Sequence, residues 1–421
     1  MLYAETGATK GALDALMNTV AIQPAALEDV KAAILKMTES DINKLDEIQK
    51  EISNRIKNEP NNYVWKDIQN WLFAQKGDYE KALQATISQD KKQKEDGQNV
   101  LSFANYCIKD KKYDVAVKAY DYILNKKEVS PFFEQALVSK IQVENAMLQN
   151  QMPIDNNLLQ TLLKDYDTLF THFPVYSSQP LRRDYAFLLA RYAHKPDSAI
   201  HILNELIAQP RLQKEFIGNV KLDLGDYLVL QQKLWDASLI YSQVDKDFKQ
   251  DMLGEEARFR NAKLAYYRGD FEWAQTQLSV LKSSTTELIA NDALYLSVLI
   301  TENTPPDSNL APLLRFAAAD LLMFQFKSKE ADQLLDSIAK AFPENPLQDD
   351  ILMQRGKIAE EEGRYNDAID FYQKTVKDFG DDVLADDAVF RLGTLYQNKI
   401  KDKAKAIEYY EKLIVDYPGS T

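Results

Sequence analysis

Three histidines, one cysteine and a run of adjacent glutamates are the residues of this chain with obvious chemical potential, and their spacing argues against the reactions they could support. His194 and His201 stand on either side of Pro196 without the i, i+4 spacing or the carboxylate frame of a helical zinc site, and His172 is the third. Ser198, the serine between them, is explained as a helix cap after the proline. Glu360, Glu361 and Glu362 are consecutive at a helix end, so their side chains fan outward and do not converge as an acid/base pair would. Cys107 is alone, which excludes an internal disulfide, and its apolar helical register makes it a small core residue. Gly363, Gly380 and Gly393 belong to turns and helix-packing positions, not to a phosphate-binding loop. The expectation is a non-enzymatic protein with no catalytic residue, no metal and no cofactor.

The elements that would position any site are helices. The stretch Leu347 to Gly380 contains a first helix marked by Ile351, Met353, Ile358 and Ala359, a turn at Gly363 and Arg364, and a second helix marked by Ala368, Ile369, Tyr372 and Val376. Gly356 and Ala368 are small enough for two antiparallel helix backbones to approach closely, while Tyr365 and Tyr372 fill the space beside them. This is the pattern of a tetratricopeptide repeat (TPR). The small residue that opens each second helix recurs as Ala82, Ala116, Ala199, Ala237, Ala274, Ala331, Ala368 and Ala406, mostly 34 to 38 residues apart.

Two wider intervals need explaining. The 83 residues from Ala116 to Ala199 hide a degenerate pair at Phe132 to Leu148 and Asn156 to Phe170. The 57 residues from Ala274 to Ala331 accommodate one repeat and one additional helix, Glu287 to Thr301. Ahead of the array, two helices between Ala4 and Met37 are split at Gln23 and Pro24, and a third spans Asp41 to Lys57. The fold class is therefore all-α: a TPR-type helix-turn-helix solenoid, a superhelical array of about nine to ten helix pairs with one extra helix near 287–301. Residues 1–301 are expected to form an N-terminal arc, irregular at 1–60 and 131–174, and residues 310–421 a C-terminal arc. The join is 302–309, where Pro305 and Pro306 break the helical pattern and set a defined bend.

Within such an array the position three residues before each first-helix small residue tends toward the inner surface. It holds Leu101, Leu222, Phe259, Phe316, Met353 and Phe390, a run of large apolar side chains that could receive a peptide or a partner helix, or could pack against the preceding repeat. Directly after the small residue come Trp71, Asn105, Leu188, Asp226, Lys263, Asp320, Lys357 and Thr394. Cochaperone repeats that grip a terminal carboxylate use Asn there; Asn105 stands alone, which disfavours that function. Trp65, Trp71, Trp235 and Trp273 read as core-filling rings.

The net charge of −13 and sequence pI of about 5.0 oppose binding to a phosphate backbone or an anionic bilayer, so nucleic acid is not an expected partner. The acid is concentrated between Glu344 and Asp387, most simply a solvated outer face. No apolar run is long enough for direct membrane insertion, and Met1 to Lys10 lacks the charged start and apolar core of an export signal.

The segment GEEARFRNAKLAYYRGDFEWAQTQLSVLKSSTTELIANDALYLSVLI, Gly254 to Ile300, with LDLGDYLVLQQKLWDASLIYSQVDKDF before it, closely resembles a family of TPR proteins of Bacteroidota. The resemblance runs over most of the chain. It implies an exported protein, periplasmic or outer-membrane associated, of which this chain is a piece, although no signal precedes it here. The family brings no catalytic residues or defined ligand. The expected function is a scaffold for protein–protein interaction in a bacterial cell envelope, with other proteins or peptides as partners. The alternatives are a periplasmic holdase or secretion adaptor, or a helical regulatory domain of a larger enzyme.

Overall fold

The computed structural model describes residues 9–38, 44–59, 62–94, 96–126, 130–149, 154–172, 179–249, 251–282, 287–304 and 309–420. Among these the regular structure is helical: α1 (Thr9–Ile22), α2 (Leu27–Thr38), α3 (Lys44–Asn58), α4 (Tyr63–Gln75), α5 (Tyr79–Gln93), α6 (Gln98–Lys109), α7 (Tyr113–Leu124), α8 (Phe133–Gln149) and α9 (Asn156–His172). There follow α10 (Gln179–Arg191), α11 (Pro196–Ile207), α12 (Lys214–Leu230), α13 (Leu234–Asp247), α14 (Met252–Tyr267), α15 (Phe271–Leu281) and α16 (Glu287–Glu302). The last are α17 (Ala311–Phe324), α18 (Ser328–Ala341), α19 (Gln348–Glu361), α20 (Tyr365–Asp378), α21 (Ala385–Leu395) and α22 (Lys403–Asp416), with a π-helical turn, Tyr396–Ile400, between the final two.

The turn inside most of the pairs is built the same way. A residue with positive φ ends the first helix, and the next N–H reaches back to the carbonyl five residues earlier, capping groups that the helix leaves open. Arg364 bonds to Ala359 at 2.8 Å, Asp270 to Ala265 at 2.9 Å, Lys327 to Leu322 at 2.9 Å and Lys233 to Leu228 at 3.0 Å. Gly363 and Gly269 supply the left-handed residue in two of these turns, but Phe326 supplies it in another at φ 60°. Such a conformation is strained for a bulky residue, and here the Arg191 guanidinium lies 4.3 Å from the centre of its ring.

Helix pairs close through matched sizes. A Cβ added to Gly225, Gly356 or Gly393 would overlap the ring of Tyr241, Tyr372 or Tyr410 on the following helix. The tyrosine comes sixteen residues after the glycine in the first two pairs and seventeen after it in the third, where the π-helical turn adds the extra residue. Where the first helix carries alanine, at Ala262 and Ala319, the residue sixteen later is the smaller Leu278 or Leu335, all buried in one hydrophobic cluster.

The chain forms two compact units, one of residues Met1–Asn150 with Gln160–Pro174, the other of Gln151–Leu159 with Val175–Thr421. The first unit has one apolar cluster running from Leu13 to Leu72, including the fully buried Trp65, and another from Leu83 to Val143 that contains Cys107. Burial pushes the Cys107 thiol up to about 12, as expected for an inert core residue. This unit also buries charge: Lys140 on α8 meets Asp121 at 2.8 Å, Asp165 at 2.9 Å and Glu144 at 3.5 Å. Burial pushes the Glu144 carboxyl up to about 7, with Asp165 adding to the effect and Lys140 only partly opposing it.

In the second unit the expected additional helix is present as α16. It packs on α15, where the Gln275 amide donates to the Ser297 carbonyl at 2.7 Å and the Ser297 hydroxyl donates to Gln275 Oε1 at 2.6 Å. It also reaches α19, where the Tyr295 hydroxyl donates to Asp350 at 3.1 Å. The chain then returns to the array, since α17 packs on α14 and the Gln325 amide donates to the Val229 carbonyl at the end of α12, 3.0 Å away. The compact units separate within 150–175. Of the expected join, residues 305–308, with Pro305 and Pro306, lie outside the described residues. The helices before and after it share one core, in which Leu296, Leu299 and Ile300 lie with Leu313 and Phe316.

Two outcomes follow for stability. Gly356→Ala forces a methyl group into the Tyr372 ring and should cost roughly 1–3 kcal/mol in chemical denaturation. Adding Tyr372→Leu, which recreates the Ala319/Leu335 pairing, should recover most of that loss. Glu144 titrates higher in the folded than in the unfolded chain, so its contribution is fully present below the unfolded pKa near 4.5 and is lost as pH rises through about 7. Glu144→Gln should therefore raise the melting temperature at pH 8, by an amount corresponding to roughly 1–3 kcal/mol, and leave it nearly unchanged at pH 4.5.

Candidate protein-binding groove

The residue after each first-helix small residue is rotated by about one hundred degrees from the helix–helix contact. In the second unit these positions hold Leu188 on α10, Thr394 on α21 and, between them, Asp226 on α12, Lys263 on α14, Asp320 on α17 and Lys357 on α19, with contacts between α12 and α14 and between α14 and α17. The result is a line of alternating sign. The two carboxylates are fixed by groups reaching them from neighbouring helices.

Asp226 accepts from the Tyr241 hydroxyl at 2.6 Å and from Arg260 Nη1 at 2.9 Å, and Arg260 is also paired with Glu256 at 2.9 Å. Asp320 accepts from the Tyr266 hydroxyl and from the Gln354 amide, both at 3.0 Å, so one carboxylate ties α14, α17 and α19 together. Lys263 lies 5.8 Å from the centre of the Tyr267 ring and is held in its charged form by Tyr267 and then by Asp320. Lys357 makes no hydrogen bond or ion pair among the described residues. Burial and the nearby Arg391 cation lower its pKa, with Asp320 and Asp387 opposing them.

These charges are crowded by protein yet open to solvent, with about a quarter of the Asp226 and Arg260 side chains still exposed. That combination is what a candidate binding groove requires. Burial pushes the Asp226 carboxyl up to about 6 against the pull of Arg260, and it raises Asp320 as well. A groove of this kind offers fixed donors and acceptors along several helices, which suits charge-assisted hydrogen bonds to a polypeptide.

The apolar residues anticipated as a binding face are placed differently. Leu101, Leu222, Phe316 and Met353 are buried in the hydrophobic clusters, with Phe316 fully inaccessible, and Phe259 is half-buried against the cluster that contains Phe316. The reason is geometric: a residue three positions before the small one lies on the same helical face, and that face is pressed against the second helix. Phe390 alone is presented, 52% exposed with its ring 6.3 Å from that of Tyr410. The tryptophan expectation also divides, because Trp65 is buried while Trp235 is 74% exposed beneath the Arg268 guanidinium. The four charged rungs occupy the sequence positions at which a carboxylate-gripping repeat carries Asn. Their alternation of sign at repeat spacing was the usable signal.

The acidic stretch contributes elsewhere. Glu302, Glu344, Asp349, Asp350, Asp381 and Asp382 border a cleft of about 660 Å³ against α16. Asp349 and Asp350 lie in the first turn of α19, where the helix dipole favours negative charge. Of the three histidines, His172 Nδ1 is 2.9 Å from the Thr168 carbonyl, His201 is exposed 3.4 Å from Glu205, and His194 forms a turn at φ 52°.

Solved structures similar to the chain include a tetratricopeptide repeat protein from Parabacteroides merdae, 14% identical, covering 75% of this chain and 99% of that one at a TM-score of 0.39. The TPR domain of P58(IPK) is 13% identical and covers 88% of each chain at a TM-score of 0.23. A monomeric IFIT1 mutant with m7Gppp-AAAA is 14% identical, covering 87% of this chain and 82% of that one at a TM-score of 0.30. No curated protein matches the chain in sequence. No helix among the described residues is long and apolar enough to cross a membrane. Residues 316–383 and 387–420 each match the tetratricopeptide repeat family, so this all-α array carries tetratricopeptide repeats, units that generally mediate protein–protein interaction.

Proposed function

We propose that the protein is a non-enzymatic scaffold that holds an extended segment of a partner protein along α12, α14, α17 and α19, as an assembly or adaptor component of a Bacteroidota cell envelope. The observation that carries the binding reading is the Asp226, Lys263, Asp320, Lys357 line. Its groups come from four successive first helices, so a partner must span the array to engage them. Asp226 and Asp320 are already oriented by tyrosine hydroxyls, which reduces the ordering cost of binding. The envelope reading is supported by the sequence resemblance of Gly254 to Ile300 and is tested by fractionating the native host, where recovery with soluble cytosolic proteins would contradict it.

Lys357 gives the cleanest test of the groove because it makes no ion pair that a substitution would break. With the full chain as bait for envelope extracts, Lys357→Glu should reduce capture of the specific partner by about tenfold or more, the effect of replacing an attraction by a repulsion at a recognition site. Its thermal melt should stay close to that of the unaltered protein. Undiminished capture with an unchanged melt would remove the groove from the function.

A further inference from the structure

We propose that a pocket in the first unit, bordered by Asp67, Asn70 and three aromatic rings, takes the guanidinium group of an arginine side chain presented by a partner polypeptide. The pocket has a volume of about 480 Å³ and is formed by residues of α2, α4, α5 and α6. It is separate from the groove described above. The inference rests on the protein-binding reading of the chain but concerns a different unit, so Asp67→Asn tests it without touching Lys357.

Hydrogen bonding in the pocket wall is unbalanced. The Gln89 amide donates to Asp67 Oδ1 at 2.9 Å, and the Asn70 amide points to Gln89 Oε1 at 3.5 Å. The Thr86 hydroxyl donates to the Ala82 carbonyl at 2.9 Å and the Ser102 hydroxyl to the Gln98 carbonyl at 3.2 Å. These donors are therefore engaged within the protein. Two acceptors are left without a partner: the second carboxylate oxygen of Asp67 has no hydrogen bond among the described residues, and Asn70 Oδ1 has none on a side chain that is only 8% exposed. An acceptor buried without a partner is costly, and a donor from a ligand removes that cost.

Charge and shape select among donor ligands. Glu28 and Lys31 at the pocket edge neutralise each other at 2.7 Å, which leaves Asp67 as the uncompensated charge. Burial raises the Asp67 pKa, and the Gln89 hydrogen bond and Lys31 only partly offset it, so a bound cation supplies what the site lacks. Trp71, Phe103 and Tyr106 line the same pocket as half-buried rings. Guanidinium has five donors, no acceptor and a flat face that stacks on aromatic rings, and it matches each of these features. An ammonium would match the charge but not the flat aromatic walls.

The probes are N-acetyl-Gly-Arg-Gly-amide and its citrulline counterpart, which keeps the shape and removes the charge. Each is titrated into the full chain while the indole resonance of Trp71 is followed by NMR. The arginine peptide should shift that resonance with a Kd of about 1 mM or tighter. Citrulline should weaken binding by about tenfold or more, and so should Asp67→Asn. Equal binding of the two peptides would overturn the proposal, since that comparison uses the unaltered protein. An unmoved Trp71 resonance at about 10 mM arginine peptide would overturn it too, as would full affinity in a folded Asp67→Asn variant.

Discussion

In the pairs from α12 onward, close approach of the two helices depends on a size match at one contact, glycine against tyrosine or alanine against leucine. At Gly225, Gly356 and Gly393 there is no room for even a methyl group beside the facing tyrosine. That contact sets the rotation of the first helix about its own axis, and the rotation decides which residues are buried and which look into the groove. Tyr241 shows both consequences at once. Its ring fills the gap left by Gly225, and its hydroxyl emerges on the far side to hold Asp226. The packing device of the repeat is thus also the device that orients the groove, which links the stability of a pair to the geometry of what it can bind.

The groove carboxylates are held away from water by their neighbours without being sealed from it. A buried carboxylate is tolerated where it is paired and hydrogen-bonded, and Asp226 and Asp320 meet that condition through tyrosine, arginine and glutamine. Their raised pKa values show that compensation is incomplete. Approach of a partner cation would complete it, and Lys357, without an ion pair of its own, leaves a place for a partner anion. On the proposed binding role, recognition would be a matter of matching alternating charge, with affinity sensitive to salt and to pH near 6.

Much of the fold is legible in the sequence because periodicity and size are local signals. The recurrence of Ala199, Ala237, Ala274, Ala331 and Ala368 locates the second helices, and the wide interval after Ala274 reveals α16. The site is less legible. Phe316 and Asp320 lie four residues apart on one helix, and hydrophobicity points to Phe316 as the attractive surface, yet Phe316 is fully buried while Asp320 stays partly open and accepts from the Tyr266 hydroxyl. That difference depends on which neighbours each side chain meets, information held on other helices. The placement of the compact-unit boundary within 150–175 was hidden for a related reason: Pro305 and Pro306 are a conspicuous local break, while the core shared by Leu299 and Phe316 is a property of packing.

Site-specific photo-crosslinking in the native host addresses most directly the claim that the partner lies along the first helices of the second unit. A photoreactive amino acid placed at Lys263 or Lys357 should join the protein to one partner species, while the same residue at the exposed Leu239 on α13 should not. Crosslinking from Leu239 with none from Lys263 or Lys357 would place the partner on the second helices and contradict the account.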